Sequence, residues 1–212
     1  QTFDAIGTLS NVPTACKSVA FSSDNQIYVC NGFFNVVMNG VTDQTIQKTI
    51  LCKKPLFVSL QTFSQYEEYL AVVFVTKKGK KVSTYNKGVH IGTIVVDSAH
   101  CIVFSPKNHI LAIGQDHGNV MLYDFKSGKR NTFTSGCDLA VIGLAFSPSG
   151  KKLATLYAEN VAKLWTLHKT PKLVKTVIVD CKISKVTGIA LHDEEKILLL
   201  QNSCYRVCVK QN

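Results

Sequence analysis

Arginine, tryptophan and methionine are scarce in these 212 residues: Arg130 and Arg206 are the two arginines, beside one Trp and two Met. The shortage of arginine is the most telling. The chain carries 24 basic against 14 acidic residues, a net charge of +10, and nearly all of the surplus is lysine. Arginine supplies the planar fork that grips phosphates and base edges, whereas lysine supplies a mobile point charge. A solvated Lys-rich surface is therefore favoured over a nucleic-acid footprint. Five Pro and 13 Gly are too few for a fibrous or low-complexity chain, and 46% hydrophobic residues are too many for a disordered one. No apolar run approaches the ~18 residues that span a bilayer. Asp4 interrupts residues 1–10, which do not read as a signal peptide. The chain begins with Gln1, so it is expected to be a segment of something longer. Phosphate-cradling GxxxxGK[ST] and GxGxxG loops, HxH and HExxH metal motifs and a GxSxG elbow are all missing, so no catalytic residue, metal or cofactor is expected.

Cysteine, by contrast, is plentiful: Cys16, Cys30, Cys52, Cys101, Cys137, Cys181, Cys204 and Cys208. Their spacing is wide and irregular, and a chain of this length can bury a core without staples. Several replace aliphatic residues inside apolar runs, as in Val29-Cys30 and Val207-Cys208. Free, mostly buried thiols in a reducing compartment, cytoplasm or nucleus, are expected. Among the six histidines, His117 sits inside Asp116-His117-Gly118 and reads as a turn residue, and His192-Asp193-Glu194-Glu195 reads as a solvated turn.

The chain repeats itself. Phe104-Ser105-Pro106 matches Phe146-Ser147-Pro148; Leu111-Ala112 matches Leu153-Ala154; Leu122-Tyr123 matches Leu164-Trp165. Weaker copies are anchored at Phe21, Leu60 and Leu191, so that copies begin near Val19, Phe57, Cys101, Ile142 and Thr187. Each copy reads as short strands parted by turn signals such as Asp116-His117-Gly118 and Ser127-Gly128, and no stretch carries a helical period. Short strands recurring every ~40–45 residues predict propeller blades, because one four-stranded sheet cannot bury both of its faces alone.

The chain resembles a WD-repeat β-propeller along nearly all of its length. The residues that carry the likeness are Phe104-Ser105-Pro106 with Asp116, Gly118 and Tyr123-Asp124, then Phe146-Ser147-Pro148-Ser149-Gly150 with Trp165-Thr166. Tyr123-Asp124 and Trp165-Thr166 stand at the family's Trp-Asp position. No copy carries a Gly-His pair before its first strand, and Ala158 stands at the usual Asp of the 142–166 copy, so the family's His–Asp–Ser/Thr–Trp network is expected to be mostly absent. The expectation is an all-β domain or propeller segment over residues 1–212, about five blades, part of a larger or shared ring. Residues 1–10 would form an outer strand of another blade.

By fold-level analogy the resemblance implies a non-catalytic scaffold that docks other protein subunits of a complex, with no small-molecule substrate. The alternative is an RNA-associated scaffold in ribosome assembly, using Lys-rich loops. Less favoured are an actin-regulating propeller, a ubiquitin-ligase substrate receptor and a propeller hydrolase. The candidate docking loop is Lys77, Lys78, Lys80 and Lys81 around Gly79, expected at a hairpin tip where it could steer an acidic partner or RNA. Phe21, Phe104, Phe146, Leu111, Leu153 and Trp165 are expected to face inward.

Overall fold

The computed structural model describes residues 16–21, 26–31, 35–40, 46–47, 57–64, 69–87, 89–178, 186–192, 196–201 and 207–209. Every element but one is a strand. The first sheet holds β1 (Cys16–Phe21), β2 (Gln26–Asn31), β3 (Asn35–Gly40) and β4 (Ile46–Gln47). The second holds β5 (Phe57–Phe63), β6 (Tyr69–Thr76), β7 (Gly79–Asn86) and β8 (Val89–Val96). The third consists of β9 (Cys101–Phe104), β10 (Ile110–Gly114), β11 (Asn119–Asp124) and β12 (Arg130–Thr134). The fourth consists of β13 (Val141–Phe146), β14 (Lys152–Tyr157), β15 (Val161–Leu167) and β16 (Pro171–Ile178), with a 3-10 turn at Ala158–Asn160. The last holds β17 (Val186–His192), β18 (Lys196–Gln201) and β19 (Val207–Val209).

All pairings are antiparallel between strands adjacent in the chain. The repeat anchors Phe21, Leu60, Phe104, Phe146 and Leu191 all fall in the first strand of a sheet. The turns need few residues because the chain supplies the right conformations. At the β6–β7 hairpin Thr76 faces Gly79, whose φ is +114°, a backbone state other residues adopt with strain.

Neighbouring sheets touch mainly through their first strands: β1 on β5, β5 on β9, β9 on β13 and β13 on β17. Among the described residues no contact of similar extent joins the last sheet to the first. The strand period of two then divides each sheet between two cores. In β10, Leu111 and Ile113 join Ala71, Val73 and Val82 of the second sheet, whereas Ala112 faces Val141 and Leu153 of the fourth. In β14, Ala154 and Leu156 pack on Leu191 and Ile197, while Leu153 and Tyr157 turn back to the third sheet. A strand buried on both faces reads as an unbroken apolar run, as Leu70–Val73 does. Burial lapses outward: β8, β12 and β16 are largely exposed and leave Val89, Val174 and Ile178 in solvent.

Sheets approach closely where Gly114 meets the fourth sheet. A Cβ there would lie 2.5 Å from Cys101 Sγ and 2.9 Å from the Val141 carbonyl oxygen, so a side chain would force the sheets apart. Phe104, Leu111, Leu153 and Trp165 are buried, but Phe146 is half-buried, contrary to expectation, because its end of β13 opens onto a cleft between the third and fourth sheets. Residues 1–10 and the side chain of Phe21 lie outside the described residues.

Candidate docking surface

Because the strands run up and down, each sheet has two ends, and in the third and fourth sheets these ends differ in charge. One end gathers the β10–β11 turn (115–118), the β14–β15 turn (158–160) and the connections 97–100 and 135–140. The Lys77-Lys78 turn of the second sheet belongs to this end, since Lys80 Nζ donates to the Ala99 carbonyl at 2.9 Å. The other end gathers the turns 105–109, 125–129, 147–151 and 168–170.

At the first end two imidazoles engage two carboxylates, while Lys77, Lys78 and Glu159 stand exposed with no ion pair among the described residues. His100, placed immediately before β9, meets Asp116 with Nε2 and Oδ1 2.7 Å apart. The Asp116 amide also donates to Ser98 Oγ at 2.9 Å. Hydrogen bonds from His100 and then Ser98 hold the Asp116 carboxyl below the ordinary value, so it stays ionised. His117, held at φ +54°, bonds Asp138 across the neighbouring connection, and that carboxylate raises the imidazole pKa. Lys163 donates to the Ser135 carbonyl at 3.0 Å with its ammonium 5.6 Å from the centre of the Tyr157 ring.

The polar network expected to be mostly absent is therefore present in two halves. His100–Asp116 fastens the third sheet. In the fourth, Trp165 Nε1 donates to Thr155 Oγ1 at 3.0 Å, and the Thr155 hydroxyl donates to Tyr157 at 3.0 Å. The sequence signal for the first half was the Ala99-His100 pair in place of Gly-His.

The four lysines singled out from the sequence do not form one loop tip. Lys77 and Lys78 occupy the exposed turn, but Lys80 and Lys81 lie within β7, half-buried and on opposite faces. Asp116, Gly118 and Tyr123 hold the β10–β11 hairpin and its core, and Phe104 and Trp165 sit in aromatic contacts with Phe125 and Phe133. These are fold positions.

At the second end of the third and fourth sheets the exposed charges are cationic among the described residues. Lys107, Lys126, Lys129, Arg130, Lys151 and Lys169 are all exposed, and among the described residues none takes a carboxylate partner. Asp124, an acid at this end of the third sheet, is engaged by its own turn: Oδ1 accepts the Lys126 and Ser127 amides at 3.0 and 3.2 Å, and Oδ2 accepts the Ser127 hydroxyl at 2.6 Å. Burial opposes its charge, yet these hydrogen bonds prevail and its pKa is lowered. Between the two sheets at this end lies a cleft of about 310 Å³. Ile110, Leu122, Phe146 and Leu167 give it an apolar lining, and Lys129, Arg130, His168 and Asp124 stand at it with Asn108 and Asn131. Sequence reading missed this patch because its lysines are dispersed. Superposing the repeats would have shown it: Lys126-Ser127-Gly128-Lys129-Arg130 and His168-Lys169-Thr170-Pro171-Lys172 follow the third strands of successive copies.

Among the described residues no three His, Cys, Asp or Glu side chains converge as metal ligands. Nor is any helix long and apolar enough to cross a membrane. Cys101 and Cys137 are free thiols; burial pushes the Cys101 pKa up to about 12, with Sγ 3.3 Å from the Val141 carbonyl oxygen. Such a thiol is a packing group, not a nucleophile. The side chains of the other six cysteines lie outside the described residues, as do residues 193–195.

The family model of the anaphase-promoting complex subunit 4 WD40 domain matches residues 102–194, which take in the third and fourth sheets and the start of the last. Over 175 residues, 79% of this chain, the sequence is 26% identical to transcription initiation factor TFIID subunit 5 of Caenorhabditis elegans. The chain spans 26% of that relative's length.

Proposed function

We propose that this chain, a WD-repeat protein of the β-propeller type, is a non-catalytic scaffold subunit that docks other proteins within a complex. The observation that carries this reading is the second end of the third and fourth sheets: six exposed cations, Lys107, Lys126, Lys129, Arg130, Lys151 and Lys169, stand round a cleft with no carboxylate partner among the described residues. Like charges gathered round a cleft repel one another, and an acidic partner that neutralises them relieves that repulsion. Almost every described residue lies in a strand or a short turn, and none of the described residues forms an inserted lid. The two likenesses point the same way, since each is to a named subunit of a larger assembly. The likeness to a transcription initiation factor subunit favours a nuclear complex over a cytoplasmic one. The row of five sheets is read as an arc of a larger propeller, further blades being supplied from outside residues 16–209.

The test is purification of the tagged chain from its native source at low and moderate salt. Protein partners in fixed ratio to the chain are expected. Recovery of the chain alone, or of RNA that carries all associated protein with it and releases it on nuclease treatment, would sink the scaffold reading.

A further inference from the structure

We infer that the cleft between the third and fourth sheets is a peptide site: it takes an acidic segment of a protein partner that inserts one large apolar side chain, flanked by Asp or Glu. This rests on the docking reading above and names the place and chemistry of one contact.

Two features of the cleft select that occupant together. The interior is apolar, formed by Ile110, Leu122, Phe146 and Leu167, and a cleft of about 310 Å³ admits a single bulky side chain rather than a helix or a duplex groove. Phe146 occupies the repeat position where Phe104 is buried, yet it stays half-exposed and offers its ring to the opening. Around that interior cations outnumber acids: Lys129 and Arg130 line the cleft and Lys107 lies beside Gly150, where the two turns touch, against the single carboxylate of Asp124, whose oxygens are taken up by its own turn. Lysine clusters attract carboxylates over a Debye length and set the on-rate, while an apolar anchor in a pocket sets the off-rate. A peptide that carried only charge would leave the apolar lining unused, and one that carried only the anchor would leave the cations unneutralised.

RNA fits less well. Among the described residues Phe125 is already packed against Tyr69, Phe104 and His109, which leaves Phe146 and the small imidazole of His168 as the rings at the cleft, fewer than a run of stacked bases uses. Single-strand binding asks for successive stacked bases, and Arg130 is the one guanidinium at the cleft. At the far end of the same sheets Asp116 and Asp138 are engaged with His100 and His117, but Asp97 and Glu159 are exposed there, so self-association is an outcome the test has to separate.

Fluorescence anisotropy on the full chain tests the inference. The probes are a short synthetic peptide with a central Phe flanked by Glu and Asp, the same peptide with a central Ala, and a single-stranded oligouridylate. The Phe peptide should bind tightest, and removal of the ring should weaken it about tenfold, the equivalent of ~1.4 kcal/mol. The double variant K129E/R130E, altered at two exposed residues, should weaken the Phe peptide by about tenfold or more, with an unchanged melting curve. The variant K77E/K78E, altered at the opposite end, should bind as the parent does. Equal binding of the two peptides would overturn the inference. So would indifference to K129E/R130E, an equal loss in K77E/K78E, tighter binding of oligouridylate than of either peptide, or concentration-dependent self-association that the Phe peptide does not reverse. If native protein partners still co-purify with K129E/R130E, the cleft is wrong and the scaffold reading stands. If none travels with the parent chain, the scaffold reading itself falls.

Discussion

The third sheet, β9–β12, and the fourth, β13–β16, put different residues at matching points of one backbone pattern. Leu111 pairs with Phe104 and Tyr123; Leu153 pairs with Phe146 and Trp165. Two residues further along the second strand stand Ile113 and Thr155. Ile113 is buried among the apolar side chains shared with the second sheet, whereas Thr155 is buried and accepts the Trp165 indole. At the next turn the third sheet has Asp116, latched to His100, and the fourth has Ala158, whose amide donates instead to the Ala140 carbonyl at 3.1 Å. The small and large partners are exchanged too: Cys101 faces Gly114, while Gly143 faces Leu156. The blade pattern thus needs its apolar anchors and its hydrogen-bonded ladder. The polar fastening can sit in the middle of the sheet or at its end, provided each buried donor finds an acceptor.

The largest expected effect separates the two anchor phenylalanines. Phe104→Ala should destabilise the chain by about 3–5 kcal/mol, as for a fully buried ring. Phe146→Ala should cost about 1–1.5 kcal/mol, roughly half of a full phenyl transfer, because its ring is half-exposed at the cleft. Urea unfolding measures both; equal losses would mean that the cleft is closed in solution and the anchors equivalent.

Next comes the point where Ile113 and Thr155 diverge. Thr155→Val keeps the shape and orphans the Trp165 indole N–H, for a loss of about 1–3 kcal/mol. Trp165 is the sole tryptophan, so its emission reports the change directly. Ile113→Val, which removes one methylene and no hydrogen bond, should cost about 0.5–1.5 kcal/mol. If the Thr155 variant is neutral, the indole bond is dispensable and the two sheets are held alike.

A smaller effect is expected at the latch. The His100 and Asp116 side chains are 34% and 48% exposed, so Asp116→Ala should lower stability by no more than about 1 kcal/mol after solvent screening. A larger loss would assign the third sheet a buried fastening equal to that of the fourth.

The smallest signal is a titration. Asp138 raises the His117 pKa above its unfolded value, so the contribution of the pair is complete below the unfolded value of about 6.5 and is lost as pH rises through the higher folded one. His117 ring shifts followed by NMR should titrate late, and Asp138→Asn should return them to the ordinary value. An unshifted His117 would leave His100–Asp116 as the one imidazole–carboxylate contact at that end among the described residues.

Much of this was legible in the chain. Phe104-Ser105-Pro106 and Phe146-Ser147-Pro148 mark where a first strand ends and a turn begins, and Asp116-His117-Gly118 marks a turn whose last two residues take φ of +54° and +66°. These are local facts: alternation of side chains and tolerance of left-handed backbone depend on neighbours a few residues away. The candidate loop was drawn too wide for the same reason. Four lysines within five residues look like one patch, but β7 begins at Gly79 and directs Lys80 and Lys81 to opposite faces.

Residue order by itself determined the strands, the period and hence the stack of blades, since each follows from apolar alternation and turn chemistry within one copy of the repeat. Tertiary structure alone decided which groups meet between copies. It brought Lys107 beside Gly150, 43 residues away, and His117 to Asp138, 21 residues away, and it left Phe146 at an opening where Phe104 is sealed. The physical reason is that stacking sets equivalent turns of successive sheets side by side. Charges dispersed along the chain then act as one surface, whose sign and shape depend on the packing between sheets.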